Sequence, residues 1–237
     1  MLRMIFGEKP RELQGDMYET VRTMEQFAQT VHKRISAGRD RDHTLRKYEV
    51  WTHGLIASLD ELEQSHYAAK KFAELVKSES LEAMSPAERL NYQRHVYFDK
   101  NGFIRLFAIL DKMGNMLNDF LGLETERIKP HFSYFTVLRN MRQRKLHPEL
   151  SAGLDELKEK HKEATNRLRR RRNIEIHHMN AELQDDLKQN HEHYGDAHQI
   201  EDLKAQLADA QEGLDLATRS LRIMFEYAIR QLRKRYS

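Results

Sequence analysis

The chain is predicted to be all-α, an antiparallel bundle of long helices with an N-terminal helical extension, and three observations predict it. Apolar residues recur every three or four positions through most of the 237 residues, which is the period of one helix face. Between the breaks the chain is rich in Leu, Ala, Glu, Lys and Arg, which lose little on entering a helix. Proline and glycine are sparse, 4 and 10, and punctuate the chain where helices should start or stop. No segment alternates apolar and polar residues as a half-buried strand would.

Taken in order, the first helix runs from Asp16 to Ile35, with Tyr18, Val21, Met24, Ala28, Val31 and Ile35 on one face. A polar break at Gly38–Asp42 precedes a longer helix carrying Leu45, Tyr48, Trp51, Leu55, Leu59, Leu62, Ala69, Phe72 and Val76. Trp51 and the other aromatics at this spacing read as core, not as a base-stacking platform. Ser85-Pro86-Ala87-Glu88 is a helix start: serine caps, proline loses no needed N–H, and Glu88 completes a capping box. Asn101-Gly102 is a turn signal, a place for this helix to kink or end. Phe103, Leu106, Phe107, Leu110, Met113, Leu117 and Phe120 form the next stripe, which Gly122 stops. Pro130 opens a shorter helix with Phe132, Phe135, Leu138 and Met141. Pro148 opens another, whose stripe of Leu154, Leu157, Ala164 and Leu168 runs into four consecutive arginines. Tyr194-Gly195-Asp196 breaks the chain again, with Asp196 and Gln199 as a capping pair. The last helix carries Leu203, Leu207, Ala210, Leu214, Ala217, Leu221, Met224 and Ala228, close to a heptad stripe. A boundary near residue 85 would divide an N-terminal helical hairpin, 1–85, from a bundle core, 86–237.

Composition excludes several chemistries. There is no cysteine, so disulfides, thiolate metal sites and cysteine nucleophiles are out. No run approaches the ~20 apolar residues of a membrane span. The N-terminus lacks a signal peptide's apolar region, so a cytoplasmic protein is expected. The net charge is only +3, and any nucleic-acid surface must come from local clustering.

The clearest cluster lies between Lys162 and Arg172, where Lys162, Arg167, Arg169, Arg170, Arg171 and Arg172 stand against Glu163. Guanidinium forks at this density can grip phosphate, although a solvated helix face is the commoner meaning of a charge run. Arg172 is followed by Asn173 and, five positions on, by His177. Metal-free RNA cleavage needs a base near neutrality for the 2′-hydroxyl and a fixed cation for the phosphoryl oxygens. Histidine and arginine supply these, and the Asn173 amide can orient either. Residues five apart on a straight helix diverge by roughly 140°. The pair therefore converges only if the helix bends or ends, or if a second subunit completes the site. His178 is an alternative to His177, with Arg171 one heptad before it. The bare spacing is weak, because Arg142-x4-His147 repeats it. Requiring Asn after Arg lowers the chance expectation to roughly 0.05.

The segment Arg172-Asn173-x-x-x-His177 resembles the signature of the HEPN superfamily, an Arg, often followed by Asn, and then a His. The resemblance covers about residues 95–235, with a bundle pattern before the motif and a long helix after it. It implies a small α-bundle that dimerises so that the motifs of two subunits line one cleft. Many such proteins are metal-independent RNases; others bind nucleotides or proteins without catalysis. On that basis Arg172, Asn173 and His177 are the expected catalytic set. Arg169, Arg170, Arg171 and His178 are the expected phosphate or RNA contacts. A homodimer, an RNA or nucleotide ligand, and a protein partner are implied, and no cofactor. A non-catalytic binding module and a plain helical scaffold stay open as alternatives.

A metal centre is the competing chemistry. Glu63-x-x-His66, Glu175-x-x-His178 and Asp40-x-x-His43 match the carboxylate–histidine spacing of di-iron bundles. Such a centre also needs carboxylates from two more helices, and none sits in an apolar stripe; chance alone supplies about two such pairs. His191, Glu192, His193 and His198 read as a polar linker. No metal is expected.

Overall fold

A computed structural model describes residues 2–177 and 202–236. The described residues form eight α-helices and one 3-10 turn, with no strand among them. The helices are α1 (Leu2–Ile5), α2 (Gly15–Ser36), α3 (Thr44–Ala73), α4 (Pro86–Leu121), α5 (Tyr134–Gln143), α6 (Pro148–Lys160), α7 (Lys162–His177) and α8 (Leu203–Tyr236); the 3-10 turn is Thr125–Arg127. None of them is long and apolar enough to cross a membrane.

The described residues divide into two compact units. One comprises those of Met1–Pro10, Leu62–Arg105 and Glu163–Gly213; the other comprises those of Arg11–Glu61, Leu106–Lys162 and Leu214–Ser237. Helices α3, α4 and α8 each give residues to both. The position near residue 85 lies inside the first unit, between α3 and α4.

In the second unit the core is aromatic. Phe27 of α2 meets Phe225 edge-on at 5.2 Å and Phe120 at 5.9 Å, and Tyr48 meets Phe120 at 5.2 Å. Met24, Phe27, Ala28 and Val31 are buried along α2. Tyr18, expected on that stripe, is 45% exposed, because it points nearly opposite to the buried face of Thr20, Met24, Phe27 and Val31. Trp51 likewise leaves the expected core and is 37% exposed. The buried face of α3 instead follows Leu45, Tyr48, Leu55, Leu59 and Leu62.

Helix ends show where local chemistry rules and where packing overrides it. Asp40 caps α3 by accepting the N–H groups of Leu45 and Arg46 at 2.8 and 3.0 Å. Ser85 accepts the Glu88 N–H at 3.2 Å as expected. The Glu88 carboxylate turns to the preceding loop, where it takes the Ser78 N–H at 2.6 Å and the Lys77 N–H. Helix α4 passes through Asn101-Gly102 without ending. The Asn101 carbonyl accepts from Ser65 at 2.8 Å and from Arg105 at 2.6 Å. Its side chain is therefore held in helical context, and the turn preference loses. Gly122 does stop α4: its φ is +63°, Leu123 N–H reaches Asn118 C=O, and Gly122 N–H reaches Asp119 C=O. This is the left-handed glycine stop.

The helix expected from Pro130 begins instead at Tyr134, where Ser133 and Thr136 form the capping box. The stripe from Pro148 to Leu168 is two helices, broken at the buried His161. Asp202 caps α8 through the N–H groups of Lys204 and Ala205, each at 3.0 Å. Asp196 and Gln199 lie outside the described residues.

Candidate functional site

Helix α7 is anchored by its first half. Ala164, Thr165 and Leu168 are buried, and the next turn on that face is Arg172, which is half-buried. Arg170, Asn173, Ile174 and His177 follow one another on the opposite face, and all four are exposed. The helix is regular to His177, so Arg172 and His177 point about 140° apart within one chain. Asn173 and His177, one turn apart, share a face. His178 lies outside the described residues, as do His191, Glu192, His193 and His198.

The arginine-rich run is partly neutralised within the first unit. Arg167 makes a two-pronged pair with Asp209, at 2.8 Å from Nε and 2.7 Å from Nη2. Arg171 pairs with Asp99, and its guanidinium lies 5.1 Å from the Phe103 ring centre. The Asp99 side chain is only 2% exposed, so this pair is an internal tie between α4 and α7. Glu175 pairs with Lys100 at 2.9 Å. Arg170 is exposed and has no ion-pair partner among the described residues; Arg169 is half-buried. Of the expected phosphate contacts, Arg171 is held by Asp99 with a quarter of its side chain exposed, and Arg170 lies on the open face with His177.

His95, Asp99 and the His66 of the Glu63-x-x-His66 spacing lie in the first unit, and motif reasoning missed the first two. His95 is fully buried, its Nδ1 2.9 Å from the Ala69 carbonyl and its Nε2 3.4 Å from Gln206 Oε1. His66 has a hydrogen bond with the Gln211 side chain, and burial holds its imidazole below the ordinary value. One signal was available: His95 and Asp99 are one turn apart on the stripe that continues through Phe103 and Leu106, where apolar residues belong.

The metal-like spacings have other uses. Glu63 receives the Arg3 guanidinium, and Asp40 caps α3 while His43 adopts a φ of +59°.

Against known families, one described as HEPN_Cthe2314-like HEPN matches residues 51–229. That stretch takes in most of α3 and the whole of α7. No curated protein and no solved structure matches the chain.

Proposed function

We propose, from the premise that this chain belongs to the HEPN family, that it binds RNA along the open face of α7 and cleaves it without metal. Arg172 and His177 are the reacting pair, contributed by two copies of the chain. The observation that carries this reading is the exposed end of α7. There Asn173 and His177 stand beside Ile174 and Ile176, which are 46% and 52% exposed. Isoleucines left open next to a titratable group suit a surface that a second copy covers. Because Arg172 and His177 diverge within one chain, each site takes its arginine from one copy and its histidine from the other.

The chemistry follows from the two side chains. An imidazole takes the proton of a ribose 2′-hydroxyl, and the freed oxygen bonds to the adjacent phosphorus. The bond from phosphorus to the 5′-oxygen breaks, and that oxygen leaves with a proton from water, while the imidazolium returns its own proton to solvent. The Arg172 guanidinium stabilises the added charge on the phosphoryl oxygens. Asn173 orients the imidazole. The products are a 2′,3′-cyclic phosphate and a 5′-hydroxyl, formed in the presence of EDTA. Arg172→Ala and His177→Ala should each slow cleavage by about 10²–10⁴-fold; unchanged cleavage in either would refute the assignment.

The same divergence favours a second reading, a non-catalytic module that holds RNA, a nucleotide or a protein partner. It predicts binding that Arg170→Ala weakens, with no cleavage by the wild-type chain.

A further inference from the structure

The second unit contains a groove that the proposed chemistry does not use. Its volume is about 430 Å³, and it runs between α3 and α4, lined by Val50, Trp51, Gly54, Leu55, Lys112 and Asn115. This volume is within the range of pockets that hold small organic ligands.

Three features give the groove its chemistry. The first is Gly54, in the middle of the 30-residue α3. Mid-helix glycine normally marks a tight helix–helix approach or a left-handed turn. Neither applies here, for a Cβ built on Gly54 would meet nothing within 4 Å and its φ is helical. What the glycine gives is room: any side chain at this position would enter the groove. The second is Trp51, one turn before it, with 37% of its surface exposed, beside Val50 at 62%. The third is Lys112. Its ammonium donates to Ser58 Oγ at 2.8 Å, and that hydroxyl donates to the Gly54 carbonyl at 2.8 Å. Lys112 has no carboxylate partner among the described residues, whereas nearby Lys47 is held by Asp119 at 2.7 Å. The groove therefore combines apolar walls, one uncompensated cation and the Asn115 amide one turn further along α4.

We propose that this groove binds a small planar aromatic anion, its ring against Trp51 over Gly54 and its acidic group on Lys112 and Asn115. An apolar ring replaces water on Trp51, Val50 and Leu55, and the anion supplies the charge that Lys112 lacks.

Trp51 is the sole tryptophan and serves as the reporter. The full chain is titrated with anilinonaphthalene sulfonate, and transfer from Trp51 to the bound dye is followed. The uncharged analogue phenylnaphthylamine is titrated in parallel. The expected result is saturable binding of one dye per chain with quenching of Trp51. Gly54→Leu, a helix-favouring change that fills the groove, should abolish it. Lys112→Met should weaken the sulfonate at least tenfold and leave the uncharged dye unchanged. Absence of saturable quenching, or quenching that survives Gly54→Leu in a chain with wild-type helix content, would overturn the proposal. Equal loss of both dyes in Lys112→Met would overturn the anion assignment.

Discussion

Among single residues, the tie between Asp99 and Arg171 sets how α7 is presented. Removing one member of a buried ion pair leaves the other charge uncompensated, at a cost of about 3–5 kcal/mol. Asp99→Ala should therefore lower the urea midpoint strongly. Replacing both members by apolar residues, Asp99→Leu with Arg171→Met, should recover most of the loss. A small effect of Asp99→Ala alone would show that the pair is not internal. His66 gives a pH dependence with a definite sign. Burial lowers its folded pKa below 6.5, so the unfolded chain takes up the proton first and stability is lost as pH falls below about 6.5. The other charged groups acting on it are Lys70, Glu63 and Asp99. His66→Gln should flatten the melting temperature between pH 7 and 5; an unchanged slope would reject the assignment.

Helices as elements show which parts of the fold could be read in advance. The long stripes were legible because burial on one face repeats every turn, and α2, α3 and α4 begin within a few residues of their expected starts. Breaks were less legible, since the turn preference of a residue such as Asn101 or Pro130 yields to the hydrogen bonds its neighbourhood makes, some near and some distant in sequence. Ser65 keeps α4 helical through Asn101. The Ser133–Thr136 box, not Pro130, starts α5. Two glycines make the point quantitatively. A Cβ on Gly114 would lie 2.8 Å from Tyr134 Cα and 3.0 Å from its N, backbone that cannot swing away. Gly114→Ala should cost about 1–3 kcal/mol, the usual penalty of overpacking. Gly54→Ala meets nothing and should stabilise by roughly 0.5–1 kcal/mol through helix propensity. Equal effects in thermal unfolding would contradict this account of the two sites.

For the molecule as a whole, the family and the all-α architecture could be read from the chain, and so could the segment that carries the motif. The fate of its cations could not. A run of arginines gives charge density, but only the fold reveals that Asp209 and Asp99 take Arg167 and Arg171 out of it. Nor does spacing decide whether Arg172 and His177 meet. On a regular helix they do not, which is why the proposed chemistry calls on a second copy. The most direct test mixes two inactive variants, Arg172→Ala and His177→Ala, refolds them together and follows RNA cleavage in EDTA. If each site draws its arginine and histidine from different copies, the mixed dimer keeps one intact site, and the mixture should regain about a quarter of wild-type activity. A mixture as inactive as its components, beside an active wild type, would contradict a site shared between two copies.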